Sequence, residues 1–557
     1  MTTGSRPRAG LPLVLVPIGL LVVAALLRLP NLATRGTWDA DQGHDMLVLR
    51  GLVRDGVIPL LGPPTSIGDV HHGALYYYLL SPAAFLTGGD SPLAVTALIA
   101  LAGIAAVLVT WWLARSIGGP VAGVVAGLAM AVSTSAVDES TFIWNPNLIA
   151  LSSAIALAGA WWAWTSRDPR WWLLASVGTG ITMQCHVLGV TMLPIVGALL
   201  VVDARSRTAG ADRRRVVRFG LGGLAIVVLS FLPLAIHELT TDFSEINAAL
   251  VYIRSGGDPA ALGPLARFLV IGGRVMSWPL TGLFTSAALP GLIAASVVSV
   301  IVVALARLGT LRERQAARWL GLGLLWTSLA LTVISPSLAT VIPGLPNDHY
   351  HAFADPMVFT LIGLGAGALW RVRSERGGAT GAADRGGASS ASDAASTPGA
   401  TPVGGRPLPI GPAFVVGAVA VLIAYNLVNQ PPAIHPDGGY PAAEVAGARI
   451  LEAAGAGTPI TLRSLPEFKS VEAYAYPLVR AGASVRADTG SGPVTTADGA
   501  LVVICDFLFE KVIGAPCGGP AEATVAPPDR FGEPVDRFLA APGRTISVYR
   551  GALASAH

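Results

Sequence analysis

Apolar runs separated by short polar stretches recur from Leu11 to Val428. Each comes close to the roughly 20 residues that carry a helix across a bilayer. A chain built this way must satisfy its backbone polar groups inside each run, so it folds as a helical bundle in lipid. The expected spans are 11–28, 91–114, 119–137, 146–165, 171–185, 187–203, 219–236, 281–306, 319–335, 352–370 and 410–428, eleven in all. Composition agrees, with 52% hydrophobic and only 13% charged residues where soluble domains carry about a quarter charged. A soluble dehydrogenase, kinase or transcription factor is excluded. A net charge of +3 is too small to point to nucleic acid. The expected fold class is an α-helical polytopic membrane protein.

Charge sets the expected orientation. Arg6 and Arg8 precede the first run, which a signal peptide would also show. No small-residue cleavage site follows, and the run reads as a retained first helix. Cytoplasmic loops collect Lys and Arg. With eleven spans and a cytoplasmic N-terminus, the inside segments hold 20 arginines, and the outside loops that precede the last span, though longer, hold 7. The two short runs 171–185 and 187–203 could instead be one span. That choice would put Arg213, Arg214 and Arg215 outside and reverse the bias downstream, so two short helices are expected.

The first outside loop covers 29–90. Further outside segments hold Asp138 and Glu139, then His237 to about Pro279, then 336–351 with its His349-Tyr350-His351. Segment 371–408 is rich in Gly, Ala, Ser and Pro and reads as a disordered cytoplasmic linker before the last helix at 409–429. Residues 430–557 then emerge outside as a small α/β domain. Its expected strands are Ile460–Arg463, Leu501–Ile504 and Thr545–Tyr549, with a helix over Val471–Val479. Cys505 and Cys517 lie in this domain, where an oxidising location makes a disulfide the expectation. No Cys/His group has zinc spacing, and no cofactor is expected; a divalent metal has no support in the spacing.

In the first loop, Trp38-Asp-Ala-Asp-Gln-Gly-His-Asp45 leads into an amphipathic helix with Met46, Leu49 and Val53 on one side. This helix is expected to lie flat on the outer leaflet, with Asp41 at or just before its N-terminus. The positive end of the helix favours a carboxylate there; the same placement suits a plain N-cap. Asp39 and Asp45 also fit solvated loop positions. His71 and His72 precede a Tyr run, Tyr76 to Tyr78. The pair suits hydrogen bonding or charge pairing to a phosphate, or no more than a loop. The apolar segment 74–87 is too short to cross and is expected in the outer interface.

The order of these features resembles the membrane glycosyltransferases of the GT-C fold that use polyprenyl-phosphate sugars. The branch it resembles holds protein O-mannosyltransferases and the aminoarabinose transferases acting on lipid A. Those begin with one helix, a loop with an Asp-Glu pair, a lying-down helix and a Lys-Pro-Pro-Leu-x-Tyr-Trp-like segment. Here the places are filled by Asp41-Gln42, the amphipathic helix and His72-Gly-Ala-Leu-Tyr-Tyr77-Tyr78. The family's second acidic position falls at Trp144-Asn145-Pro146, just after Asp138 and Glu139. An Arg-Tyr pattern late in the family resembles His349-Tyr350. Gln42 stands for the family Glu, Asn145 for the second Asp, and His72 and His349 for basic residues.

The resemblance, over about residues 10–370, implies that 1–370 is a GT-C-like catalytic module. It implies a transferase that inverts the sugar's anomeric centre at the outer face of the plasma membrane. Asp41 would be the base, and the donor a polyprenyl-phosphate-linked sugar. The acceptor would be a protein, glycolipid or cell-envelope polysaccharide hydroxyl. Candidate contacts to donor phosphate or substrate hydroxyls are Asp39, Gln42, His71, His72, Tyr77, Asp138, Glu139, Asn145, Arg254, Arg274, His349 and Tyr350. A lipid-linked sugar flippase and a non-catalytic envelope assembly protein are the competing classes. Transport is disfavoured by spans almost free of charge, and an assembly role by three Asp within seven loop residues.

Overall fold

A computed structural model describes residues 12–65, 70–255, 261–282, 288–340, 348–383, 410–467, 470–490, 492–494 and 499–551. The leader with Arg6 and Arg8, Asn347, and 384–408 of the expected linker lie outside the described residues. Helix Asp355–Ala383 runs into the beginning of that linker.

Among the described residues, each of the eleven expected spans falls mainly on helix, but the spanning count differs. Seven described helices are long and apolar enough to cross, or eight if Ala211–Ser230 and Leu232–Thr240, bent by 45°, form one span. The shortfall has local causes. Run 119–137 breaks at Ser133 into Pro120–Val132 and Thr134–Asp138, and Leu15–Arg28 also falls below crossing length. The doubtful pair is two helices: Trp171–Cys185 and Met192–Ser206 double back at His186. The Trp172 indole accordingly donates to Asp203 near the far end of the second helix, at 3.0 Å. The protein is a multi-pass membrane protein.

Helix Pro12–Arg28 is held against the bundle by polar contacts at its end. Arg28 is fully buried and donates to the carbonyls of Met130, Ala131 and Ala136. It thus covers carbonyls that the end of helix Pro120–Val132 leaves open. Two short helices follow, Ala40–Arg54 and Leu75–Thr87. The first buries Met46 and Leu49 completely, the apolar face read from the sequence. Between them a two-stranded hairpin, β1 (Leu61–Pro64) and β2 (His71–Gly73), aligns Pro64 with His71. The strands meet where neither residue has a side chain: a Cβ at Gly62 would lie 2.5 Å from the Gly73 carbonyl oxygen.

Beyond helix Ile410–Val428, the C-terminal region is an α/β domain. Its sheet runs β4-β3-β5-β7-β6, with β3 (Ile460–Leu465), β4 (Val485–Ala487) and β5 (Ala500–Asp506) parallel. Strands β6 (Asp536–Ala541) and β7 (Arg544–Arg550) are antiparallel to their neighbours. Leu462, Val502, Ile546 and Val548 are wholly buried. Cys505 and Cys517 are bridged, with Cα atoms 5.6 Å apart. Helix Glu472–Arg480 connects β3 to β4 and packs on helix Ala40–Arg54.

Candidate active site

Helix Ala40–Arg54 is capped by Asp39, not by Asp41. The Asp39 carboxylate accepts from the Ala40 N–H at 2.8 Å, and the Gln42 side chain accepts from the Asp39 N–H at 2.8 Å, a reciprocal capping box. Asp41 sits in the first turn and lines a cavity of about 370 Å³. The wall is shared by Pro63 and Pro64 of the hairpin, His72, Asn145, His186 and Tyr350. Trp144, Tyr252, Ser335 and Ser337 complete much of the rest.

The imidazoles define the electrostatics. His72 and His186 lie with ring centroids 4.7 Å apart, and His186 lies 4.7 Å from Tyr350. Burial, with a smaller contribution from His71, pushes His72 down to about 3. Burial, then the neighbouring His72 and His349, holds His186 well below the usual histidine range. Both rings are therefore neutral near pH 7. The Val187 N–H donates to His72 Nδ1 at 3.3 Å, and the Leu188 N–H donates to His186 Nδ1 at 3.2 Å. With each Nδ1 an acceptor, the single proton of each ring sits on Nε2. The wall thus carries two neutral N–H donors, and of the hydrogen bonding or charge pairing that the sequence left open at His72, the neutral ring suits hydrogen bonding. His349 lies tilted against Trp144, with ring centroids 3.8 Å apart, and edge-on to Tyr350 at 4.1 Å, which continues the ring series.

Several expected contacts are placed elsewhere. Gln42 is buried and donates to the Ile143 carbonyl at 2.8 Å. Asp39, besides capping, pairs with Arg544 of the C-terminal domain at 3.1 Å. Tyr77 is buried, and its hydroxyl, like that of Tyr76, donates to Asp45, at 2.9 and 2.6 Å. Asp45 is itself buried, against the solvated-loop reading. Burial lifts its carboxyl to about 7, although Tyr76, His44 and Tyr77 pull the other way. These contacts brace helices Ala40–Arg54 and Leu75–Thr87 together. His71 turns from the cavity and meets Glu245 through its N–H at 2.7 Å and its Nδ1 at 2.8 Å.

Asp138 and Glu139 end a short helix beneath the loop. Glu139 accepts from the Trp278 indole at 3.0 Å, and burial raises Asp138 to about 6, opposed by His435 and Arg35. Neither lines the cavity. Arg274 is buried and donates to the Leu338 and Thr340 carbonyls. It therefore supports the strip that carries Ser335 and Ser337. Arg254 is exposed, two positions after Tyr252. Asn145 does reach the cavity, with its amide donating to the Cys185 carbonyl. Among the described residues no group of three or more His, Cys, Asp or Glu is arranged to hold a metal ion.

His186 is the main residue the sequence reading passed over. It carried a signal, as the polar break between two short apolar runs.

Residues 71–237 match the model of a family described as dolichyl-phosphate-mannose-protein mannosyltransferase. No curated protein sequence matches the chain. Among solved structures, the chain is similar to ArnT from Cupriavidus metallidurans bound to undecaprenyl phosphate. Identity is 12% and the TM-score 0.58, over 97% of this chain and 98% of that one. The apo state of the same protein aligns at 13% identity and a TM-score of 0.57, over 96% and 97%. The archaeal oligosaccharyltransferase AglB from Archaeoglobus fulgidus, in complex with an inhibitory peptide and a dolichol-phosphate, aligns at 13% identity and 0.46, over 92% and 71%. The likeness to ArnT, which runs the length of both chains, gives this protein the GT-C fold of the polyprenyl-phosphate-sugar glycosyltransferases that its sequence resembles.

Proposed function

We propose that this protein is an inverting membrane glycosyltransferase that moves a sugar from a polyprenyl-phosphate donor to an acceptor hydroxyl at the outer face of the membrane. The observation that carries the reading is the place of Asp41. It lies on the cavity wall with two Nε2–H donors, and Asp39 takes the capping role that would otherwise explain it. In the reaction Asp41 accepts the proton of the acceptor hydroxyl as its oxygen attacks the anomeric carbon. The bond from that carbon to the phosphate oxygen breaks on the opposite side, which inverts the centre. The phosphate departs with the electron pair, and His72 and His186 donate hydrogen bonds to it. A phosphate leaves readily, so no strong general acid is needed.

The lipid part of the donor also finds suitable surface. An apolar groove of about 770 Å³ adjoins the cavity and shares His72 and Val187 with it. Phe231, Leu234, Leu239 and Ile246 line its length, a surface that suits a prenyl chain. The ArnT structure with undecaprenyl phosphate and the dolichyl-phosphate-mannose family match are consistent with such a donor.

Asp41→Asn tests the reading. Loss of a general base costs about 10²–10⁴-fold in rate. The capping box does not use Asp41, so the variant keeps the helix start, and its melting temperature, measured alongside, separates a lost base from a lost fold. Near-normal transfer from a polyprenyl-phosphate sugar in this variant would remove Asp41 as the base.

A further inference from the structure

The C-terminal domain grips the helix that bears Asp41 on both sides of that residue. Two positions before it, Asp39 meets Arg544 of β7 at 3.1 Å, and Arg544 also reaches Asp506 at the end of β5 at 3.6 Å. Three positions after it, His44 Nδ1 meets Glu472 at 2.9 Å. Glu472 is held in turn by the Ser470 hydroxyl at 2.8 Å. Just upstream, the Trp38 indole donates to the Ala473 carbonyl at 2.8 Å, and Asp437 accepts from the Thr37 hydroxyl and the Trp38 N–H at 2.6 and 2.9 Å. The far end of the helix is tied elsewhere, by Arg50 and Arg54 to Asp90. The membrane module therefore holds the C-terminal half of this helix and, through Gln42 and the Ile143 carbonyl, one side of its first turn; the C-terminal domain holds the residues on either side of the carboxylate, Asp39 and His44.

From this bracketing we infer that the C-terminal domain is a working part of the catalytic centre, with Arg544 and Glu472 as positioning residues for Asp41. The inference rests on the transferase reading above. A domain present only as a tether would need no side-chain contacts to the first turn of this helix. Arg544 binds the cap residue itself, so its loss frees the helix start to rotate or withdraw. A misplacement of about 1 Å at a reacting group can cost on the order of 10²-fold.

The test uses the full chain in lipid nanodiscs with Arg544→Met, Arg544→Lys and Asp39→Asn. The Asn variant keeps the cap, since Asn caps as well as Asp, but removes the charge that Arg544 meets. Amide hydrogen exchange over residues 40–46 is one readout. Steady-state transfer from a panel of undecaprenyl-phosphate hexoses and pentoses, with cell-envelope extract as acceptor, is the other. Arg544→Met and Asp39→Asn should exchange faster and lose about 10- to 100-fold in kcat with donor KM unchanged. Arg544→Lys should recover most of the loss.

Unchanged exchange in both charge-removing variants overturns the inference. So does faster exchange with wild-type kcat, because the domain would then fasten the helix without positioning the carboxylate. A loss carried only by a rise in donor KM, with kcat unchanged, overturns it as well. A wild-type protein inactive with the whole panel sinks the transferase reading instead, and the inference with it.

Discussion

Two glycines on one helix should respond to the same substitution with opposite signs. Gly43 and Gly51 both lie in helix Ala40–Arg54, and Ala is favoured over Gly in a helix interior by about 1 kcal/mol. At Gly51 an added Cβ meets nothing within 4 Å, so Gly51→Ala should keep the full gain. At Gly43 the Cβ would fall 2.1 Å from the Glu472 carbonyl oxygen, 2.3 Å from its carbon and 2.7 Å from the Ala473 nitrogen. All three are backbone atoms, so no rotamer change relieves the contact. The two helices would have to part by about 1 Å to restore ordinary van der Waals separation. The Trp38–Ala473 hydrogen bond, now 2.8 Å, would then pass the usual limit. Overpacking costs about 1–3 kcal/mol and a buried unsatisfied partner about 1–3 more. The loss therefore exceeds the helix gain. Thermal melting of the detergent-solubilised full chain should place Gly51→Ala slightly above wild type and Gly43→Ala clearly below it. A Gly43→Ala variant that melts at or above wild type would refute backbone-to-backbone packing of the C-terminal domain on this helix.

Further outcomes follow from other parts of the molecule. Burial raises the Asp45 carboxyl to about 7, above its ordinary value near 3.9, so the folded state holds that proton more tightly. This contribution to stability is full below about pH 4 and is lost as pH rises through about 7. Asp45→Asn should therefore flatten the fall in melting temperature between pH 5 and 8, and an equal slope in both proteins would contradict the assignment. The Cys505–Cys517 bridge closes a loop with a separation of 12 residues; replacing both with Ser should destabilise the C-terminal domain by about 3 kcal/mol. Alkylation without reductant should leave this pair unmodified, and two added groups on it by intact mass would disprove the bridge. A cysteine placed at Gly210 should react only with a reagent that reaches the cytoplasmic side, given the arginines around it; labelling from outside would reverse the orientation.

What could be read from the sequence divides by the distance over which each residue finds its partner. The helices were legible because an apolar run satisfies its own backbone, and the turn at His186 was legible because the arginine balance required the chain to reverse there. Met46 and Leu49 were legible as a buried face through their spacing alone. The strands of the C-terminal domain were visible as short β-rich runs. The span count was harder, since it turns on short local breaks inside apolar runs: Ser133 caps a new helix, and Pro233 opens the helix that follows the bend near Phe231. At the site, Asp41 was marked by its position, but the sequence offered it alone as the cap, and only backbone geometry gives that role to Asp39.

The residues whose roles changed have their partners far along the chain. Glu139 was an end-of-helix acid until Trp278 came to it, 139 positions away. Tyr77 fitted a substrate-facing aromatic, yet Asp45 lies 32 positions back across the hairpin. Asp39 looked like part of the acidic cluster, and Arg544 arrives from the last strand of the protein. Such pairs leave no local pattern, because nothing in the spacing of one segment encodes the charge brought to it by another. In each case a polar group near the proposed centre is satisfied by structure, and this narrows the candidates for chemistry. Asp41, His72, His186, Asn145 and Tyr350 share one cavity wall, and the long-range contacts around them account for why that wall holds its shape.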